Sequence, residues 1–318
     1  SAWSKVYVVM AGMMGVGVLT TLVIPEPRVQ DREESHFRTT SDYLRFLVLF
    51  LLAAGVFVAV FVTGAGWVGP LAAALGGGPL AGFAAEAGRF ALAVGAAAAA
   101  GFALVGLGLA SRDHVRETYI DPVADFVGRY GGLAVLVLAL IGSYRMADIV
   151  MGAVANVFYL DIGFDKSQIA TYTKFWGLLA TIAGGFLGGV FALRYGVMRA
   201  LLTGAVLAAI TNVLFAGLAV IGDDPYALMG AIVADNLSAG LASAAFVAYL
   251  SALTNVSFTA MQYALFSSLM TLMPKVLAGY SGTAVDALGY PWFFVGTAIL
   301  GIPVIALVIL AGKLAPPR

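Results

Sequence analysis

Residues 130–159 read YGGLAVLVLALIGSYRMADIVMGAVANVFY, an apolar stretch long enough for a helix to cross the roughly 30 Å hydrocarbon core of a bilayer. Arg145 and Asp148 lie near its middle. Helical residues three apart share a face, which Asn156 and Tyr159 continue. A charge at mid-bilayer costs about 2.5–3.5 kcal/mol on insertion scales, so two such charges predict either a structural ion pair or a polar path through the membrane. The polar path is favoured, because ionisable residues recur at similar depth later in the chain.

The composition indicates a membrane protein. Of 318 residues, 61% are hydrophobic and 11% charged, with a mean hydropathy of +0.97, whereas soluble domains carry about 25% charged residues. Cysteine is absent and both histidines, His36 and His114, lie in charged segments, so we expect no metal site and no cofactor. No HExxH or Gly-x-Ser-x-Gly pattern occurs, so we expect no enzyme. The enzymatic alternative is a hydrolase that uses the carboxylates of Asp148 and Asp235.

Apolar stretches of membrane-spanning length predict an all-α polytopic protein with nine helices. They cover residues 6–24, 46–63, 90–110, 130–159, 169–193, 200–221, 227–253, 258–277 and 292–310. A Gly/Pro-rich connection joins the second to the third, and kinks are expected at Pro274 and Pro303. The doublets Gly184-Gly185 and Gly188-Gly189 are four residues apart and predict close helix packing.

The distribution of Lys and Arg predicts the orientation in the membrane. Basic residues concentrate in the charged linkers 25–45 and 111–129, in the turn after residue 193 and at the C-terminus. We therefore expect these segments on the cytoplasmic side.

Ionisable residues recur with a period of three spans in the last six. The first, second, fourth and fifth of these spans contain Arg145 with Asp148, Lys174, Asp235 and Lys275, and the third and sixth contain none. This pattern predicts two three-helix units whose third helices face lipid while the others border a cavity. Such repeats are typical of secondary transporters.

The polar residues of these spans have structural as well as functional interpretations. Asp235 lies within its span and is followed by a second polar residue, Asn236, which favours a functional role for Asp235. Lys174 either borders the cavity or snorkels through an aromatic belt that includes Trp176, and Gln262 either contacts a ligand or forms a hydrogen bond between helices.

Residues 189–199, GVFALRYGVMR, resemble the major facilitator signature between the second and third helices of each six-helix half. Gly189, Arg194, Gly196 and Arg199 form the predicted gating-loop motif, whereas Leu193 stands where an aspartate is common. This departure weakens a charge-relay role for the loop.

Four longer segments resemble AmpG-type muropeptide permeases of the major facilitator superfamily. They are YRMAD (144–148), FYLDIGFDKSQIATYTKFWGLLATIAGGFLGG (158–189), DNLSAGLASAAFVAYLSALTN (235–255) and FTAMQYALFSSL (258–269). The resemblance implies that residues 130–312 form the C-terminal six-helix half and that 313–318 are a cytoplasmic tail. Residues 1–24 correspond to the last helix of the N-terminal half, and 25–129 are cytoplasmic linkers with an inserted transmembrane pair at about 46–63 and 90–110. The rest of the N-terminal half is missing, so we expect a fragment.

The resemblance implies proton-coupled import of anhydro-muropeptides from periplasm to cytoplasm across the bacterial inner membrane. The expected partners are an anionic glycopeptide, protons and the lipid bilayer, and not nucleic acid. Alternatives are a major facilitator carrier of another bulky anion, such as a peptide or an acyl-CoA-like solute, and a non-transporting sensor or scaffold.

The resemblance also assigns roles to residues. Asp148 or Asp235 carries the coupling proton, and Asp235 is the freer candidate because Arg145 lies one turn from Asp148 and stabilises its charged form. Arg145 and Lys174 pair with substrate carboxylates. The remaining predicted substrate-binding residues, aromatic for the sugar rings or polar, are Tyr144, Tyr159, Trp176, Asn156, Asn236 and Gln262.

Overall fold

A computed structural model describes residues 2–24 and 40–316 of the chain, and within these residues it is helical without a strand. Its helical segments include nine that are long and apolar enough to cross a membrane, and each predicted span has a counterpart among them. The predicted all-α polytopic membrane fold is therefore confirmed. Most of the predicted linker 25–45 and the last two residues of the tail lie outside the described residues.

The chain divides into two compact units, Ser1–Arg38 and Thr39–Arg318. The described part of the first unit is essentially one helix, α1 (Ala2–Val23). Thr20 and Thr21 donate their hydroxyls to the carbonyls of Val16 and Gly17 at 2.8 and 2.9 Å, so their polar groups are satisfied within the helix.

The second unit begins with a helical hairpin that contains the two spans predicted as the inserted pair and is here called the inserted hairpin; it is made of α2 (Thr40–Thr63), α3 (Ala65–Ala74) and α4 (Gly78–Gly106). The predicted Gly/Pro-rich connection contains α3 and the first turns of α4, because its alanine-rich segments have high helix propensity. Phe57 and Phe61 of α2 place their rings 5.8 and 6.5 Å from that of Phe90 on α4. These edge-on contacts hold the two long helices together at one end.

The segment predicted as the charged linker 111–129 is helical. It contains α5 (Arg112–Val115), a π-helical turn (Arg116–Ile120) and α6 (Asp121–Tyr130), followed by a 3-10 turn (Gly131–Leu133). Ser111 starts it by accepting the backbone N–H of His114 at 3.1 Å. Phe126 of α6 is buried, with its ring 5.1 Å from that of Phe266, so this segment packs on the bundle that follows.

The remaining helices form the bundle. They are α7 (Ala134–Ser143), α8 (Met146–Asp161), α9 (Lys166–Ala170), α10 (Gly177–Tyr195), α11 (Val197–Ile221), α12 (Pro225–Leu253), α13 (Thr259–Ala278) and α14 (Ser281–Leu314), with a π-helical turn at Thr171–Trp176 and a 3-10 turn at Val256–Phe258.

Glycines let α10 and α12 approach to backbone contact. A Cβ at Gly188 would lie 2.6 Å from the carbonyl oxygen of Leu241, and one at Gly184 would overlap the backbone of Leu237. The predicted close packing is confirmed for these two members of the doublets. The region around a Cβ at Gly189 is empty, so the second doublet contacts α12 through Gly188.

The helices without ionisable residues at their centres, α11 and α14, pack on each other. A Cβ at Gly301 of α14 would lie 3.1 Å from the Cβ of Ala209, and the rings of Phe215 and Phe294 are 5.6 Å apart. The exposed sides of both helices are apolar and include Ile210, Val213, Ile299 and Ile302.

The helical path is interrupted elsewhere than at the predicted prolines. Within α13 and α14 the residue with non-helical φ/ψ is Gly289 (φ 75°, ψ 161°), whereas Pro274 and Pro303 lie in continuous helix. Gly289, two residues before Pro291, adopts a positive φ, which glycine tolerates. Pro291 itself restricts the residue directly before it, so both act on the same short stretch of backbone.

Candidate functional site

The stretch 130–159 is two helices rather than one. α7 ends at Ser143, and Arg145 has φ −96° and ψ 10° before α8 begins. Tyr144 is buried at this break: its ring stacks on Phe246 at 4.6 Å, and its hydroxyl donates to the Leu201 carbonyl at 3.0 Å. These contacts anchor the break to α11 and α12.

Arg145 and Asp148 form the ion pair that their spacing predicts. The Nε of Arg145 lies 3.1 Å from Oδ2 of Asp148, with side chains 24% and 14% exposed. Its Nη1 donates to Oγ of Ser243, whose own hydroxyl donates to the Ala239 carbonyl at 2.6 Å. The pair is therefore tied to α12 as well as to its own helix.

Asp235 on α12 lies within electrostatic range of both Arg145 and Asp148. Its Oδ1 is 3.1 Å from the hydroxyl oxygen of Thr211, which is also 3.0 Å from the carbonyl oxygen of Ala208. The Thr211 hydroxyl donates to this carboxylate oxygen and to the carbonyl of its own helix, so it links Asp235 on α12 to α11.

Tyr159 and Asn236 are used in helix packing. Tyr159 is buried, with its ring 5.7 and 6.3 Å from those of Phe158 and Phe215. Oδ1 of Asn236 accepts the hydroxyl of Thr181 at 3.0 Å, and its Nδ2 donates to a backbone carbonyl of its own helix. Asn236 therefore links α12 to α10.

Three predicted substrate-binding side chains are exposed: Asn156, Lys174 and Trp176. Lys174 and Trp176 lie in the π-helical turn Thr171–Trp176, a distortion that is frequent at functional sites. The rings of Phe175 and Trp176 meet edge-on at 5.3 Å, so an aromatic pair stands beside the lysine.

Gln262 belongs to a different set of contacts, here called the α6–α13 cluster and made of Asp125, Arg129, Asn255 and Gln262. Gln262 is 1% exposed. Its Nε2 donates to the Pro122 carbonyl and to Asp125 at 2.8 and 2.9 Å, and its Oε1 accepts from the backbone of Asn255 and from Arg129 at 2.8 and 3.2 Å. All four of its hydrogen-bonding positions are occupied. None of these partners contacts Arg145, so Gln262 belongs to a separate hydrogen-bond network.

The predicted gating-loop motif joins α10 to α11. Gly196 has φ +91°, a conformation open to glycine and strained for other residues, which gives the sequence match a physical reason. The guanidinium of Arg194 lies 5.5 Å from the ring centroid of Tyr195. The carbonyl of Arg199 accepts the hydroxyl of Thr203 at 3.0 Å.

Sequence reasoning missed Ser243 and Thr211, the partners of Arg145 and Asp235. One signal was present: Ser243 is seven residues after Asn236, so both lie on one stripe of α12. Thr211 carried no such signal, because a hydroxyl in a membrane helix commonly bonds its own backbone. Within residues 2–24 and 40–316, no three His, Cys, Asp or Glu side chains group as metal ligands.

Comparisons with known proteins support the resemblance found in the sequence. No family model matches the chain. It is 35% identical to a transporter named AmpG 4 of Rickettsia conorii over 186 residues, 58% of this chain and 44% of that relative. It is 31% identical to the anhydromuropeptide permease of Escherichia coli strain K12 over 197 residues, 62% of this chain and 40% of that relative. The chain thus spans less than half the length of these relatives, and its resemblance to AmpG-type permeases is confirmed.

Proposed function

We propose that this chain is the C-terminal half of a proton-coupled carrier of the major facilitator type that imports anhydro-muropeptides across the bacterial inner membrane. The kinship with AmpG-type permeases supports the cargo. In this proposal residues 1–24 end the N-terminal half, 25–129 carry the inserted pair and 130–312 form one wall of the cavity. The segments 25–45 and 111–129 and the tail 313–318 are cytoplasmic, as the basic residues favour.

The observation that carries the proposal is the grouping of three membrane-embedded charges. Arg145, Asp148 and Asp235 come from two helices and interact electrostatically, beside an interruption between α7 and α8. Interrupted helices that bring charged groups together near the membrane midplane are characteristic of binding sites in secondary transporters. This grouping favours a shared ion and substrate path over separate structural pairs.

For substrate binding we assign the leading role to Arg145. Its guanidinium has five N–H donors. Nε lies beside Asp148 and Nη1 donates to Ser243, so other N–H groups remain to bind a substrate carboxylate. The exposed Lys174, Trp176 and Asn156 are the further candidates for the peptide carboxylates and the sugar rings. In this proposal the other predicted residues (Tyr144, Tyr159, Asn236 and Gln262) position helices instead.

For proton coupling we assign the carrier role to Asp235. Its hydrogen-bond partner is the neutral hydroxyl of Thr211, whereas Asp148 has Arg145 as a direct counter-ion. Substrate binding at Arg145 would change the charge that Asp235 senses, because the three groups interact. This gives substrate and proton a direct means of coupling.

The test is uptake of labelled anhydro-muropeptide by membrane vesicles that contain the complete permease, with and without an imposed proton gradient. Asp235→Asn should abolish gradient-driven accumulation and retain substrate exchange across the membrane, because the amide cannot carry the proton. Asp223→Asn, which removes an exposed carboxylate at the turn between α11 and α12, serves as the matched control and should transport normally.

Each alternative predicts a different result in this assay. A carrier of another bulky anion would accumulate a peptide or an acyl-CoA-like solute in preference to the muropeptide, and a sensor or scaffold would accumulate neither. A hydrolase would convert the label without a gradient. Unchanged accumulation by Asp235→Asn would contradict the assignment of the proton to this residue.

A further inference from the structure

A cavity of about 430 Å³ lies between the two long helices of the inserted hairpin and the segment that follows them. Here it is called the hairpin groove. Small side chains form its walls, among them Ala53 and Ala54 of α2 and Ala98 and Gly101 of α4. Alanines and glycines usually bring membrane helices together, but here a Cβ at Gly101 would have no neighbour within 4 Å. The small residues therefore leave a space between the helices.

The hairpin groove is apolar and has the length of one membrane leaflet. Its lining on α4 runs from Val94 to Val105, about 16 Å at a rise of roughly 1.5 Å per residue. The hydrocarbon core of a bilayer is about 30 Å thick, so the groove spans about half of it. An empty apolar space forfeits dispersion contacts along its walls, and within a membrane the surrounding solvent that fills such a space is the lipid acyl chain.

The charge pattern places one end of the groove at the membrane surface. Val115, Tyr119 and Ile120 line this end, and they belong to a charged segment that includes the exposed Arg112 and Arg116, which is too polar for the hydrocarbon region. The ring of Tyr119 stacks at 5.7 Å on Phe46 near the start of α2, which fixes the end of the groove to the surface segment.

Two exposed arginines at this end, Arg112 and Arg116, can bind an anionic lipid headgroup, and they alternate with Asp113 and Glu117 along the segment. The side chain of Arg116 is 72% exposed although its Nε lies 3.1 Å from Asp121, so its remaining N–H groups are accessible from the interface. Arg112, one turn earlier in the chain, is exposed as well. Arginine pairs with phosphate through parallel charge-assisted hydrogen bonds, and basic residues beside a membrane helix favour anionic lipids.

We propose that the hairpin groove is a binding site for one acyl chain of an anionic phospholipid, whose phosphate lies against Arg112 and Arg116. The lipid fills the space between α2 and α4 and joins the inserted hairpin to the surface segment before α6. This assignment is independent of the transported substrate, and it gives the inserted pair a function as a lipid-binding module.

The test is native mass spectrometry of this chain purified from vesicles of equal parts phosphatidylethanolamine and phosphatidylglycerol. The unmodified chain should retain phosphatidylglycerol. Ala54→Trp, which fills the groove with an indole ring, should lose it. Ala59→Trp makes the same change at an exposed position of α2 outside the groove, and it should retain the lipid. Ala98→Trp and Ala99→Trp repeat this pair on α4, in case Ala54→Trp does not fold.

The headgroup is tested separately with Arg112→Gln and Arg116→Gln. Each should lower the preference for phosphatidylglycerol over phosphatidylethanolamine by about fivefold. Equal lipid retention by the groove variants and their controls would overturn the site, as would a lipid-free chain that pairs with a second copy. Retention of both lipids without preference would overturn the anionic assignment.

Discussion

The inserted hairpin and the bundle α7–α14 are built from similar residues and use them differently. Both contain helices rich in Gly and Ala, and both contain an Arg and a carboxylate three residues apart in an apolar segment of membrane-spanning length. In the bundle the small residues bring α10 and α12 into backbone contact, whereas in the hairpin they line a groove. A small-residue pattern thus permits two helices to approach closely but does not by itself bring them together.

The two ion pairs differ in their surroundings. Nη2 of Arg89 lies 2.6 Å from Glu86, and the guanidinium covers the ring of Phe61 at 4.0 Å, so this pair joins α4 to α2. The pair Arg145–Asp148 contacts a hydroxyl and lies within range of a third charge, Asp235. The Arg89–Glu86 pair is a local contact between α4 and α2. The Arg145–Asp148 pair belongs to a set of polar side chains that comes from more than one helix.

The largest difference between the two regions should appear when Arg145 of the bundle and Arg89 of the hairpin are each replaced. Arg145→Gln should reduce muropeptide uptake by the complete permease about 30-fold or more, because it leaves the partly buried carboxylate of Asp148 without its counter-ion, which costs about 2 kcal/mol at the least. The measurement is the initial uptake rate per amount of folded protein. The double variant Arg145→Gln/Asp148→Asn removes the uncompensated carboxylate, so it should recover stability but not uptake. Normal uptake by either variant would show that the Arg145–Asp148 pair is only a structural contact, like the Arg89–Glu86 pair of the hairpin.

The second prediction concerns the small residues. Gly188→Ala should destabilise the chain by about 1–3 kcal/mol, the usual cost of overpacking, because its Cβ would meet the Leu241 carbonyl at 2.6 Å. Gly95→Ala on α4 has no neighbour within 4 Å, so it should be neutral or stabilising through helix propensity. Thermal unfolding in detergent, followed by circular dichroism, compares the two. Equal midpoints would contradict the distinction between the regions.

The sequence predicts the membrane spans well because their length and apolarity are local properties. Each of the nine expected spans has a helical counterpart, and the ion pair of Arg145 and Asp148 is one of the two interpretations that their spacing allows. The break at Arg145 is not predicted from the sequence, because it depends on contacts with distant residues, such as Tyr144 with Phe246 and Leu201, which no local pattern contains.

The candidate site shows the same limit more strongly. Hydropathy and helical spacing identify the charged residues but cannot say which polar side chains complete them. Gln262 has the same polarity as a ligand-binding residue, yet its hydrogen bonds go to residues of α6 and to Asn255. The partners on α6 lie more than 130 positions away from Gln262 in the chain, so only the tertiary fold decides between a binding and a structural role.

A smaller effect is expected at the hairpin pair. Arg89→Gln should lower stability by about 0.5–1 kcal/mol and leave uptake unchanged, because Glu86 is 47% exposed and surface pairs contribute little. The cation–π contact with Phe61 accounts for part of this loss. Unfolding and uptake should be measured on the same preparations as for Arg145→Gln. Loss of uptake at unchanged stability would place the hairpin in the transport path.

The smallest expected effect concerns how the helices of the two regions begin. Gly77 precedes α4 without a side-chain cap, whereas Asp165 caps α9 by accepting the backbone N–H groups of Ser167 and Gln168 at 2.7 and 2.9 Å. The backbone N–H of Gln168, followed by the hydroxyl and N–H of Ser167, lowers the pKa of Asp165 below its ordinary value.

Because the pKa of Asp165 is depressed by folding, its ionised form stabilises the chain at pH values above the unfolded pKa of about 3.9. This contribution is lost as the pH falls through the lower pKa of the folded state. Asp165→Ala should therefore lower the unfolding midpoint slightly near neutral pH and have less effect in acid. Asn is a good N-cap residue without a charge, so Asp165→Asn should lower the midpoint less than Asp165→Ala and without this pH dependence. If the decrease in unfolding midpoint of Asp165→Ala did not depend on pH, the cap would act through hydrogen bonding alone and not through its charge. A neutral cap added before α4 would act in the same way.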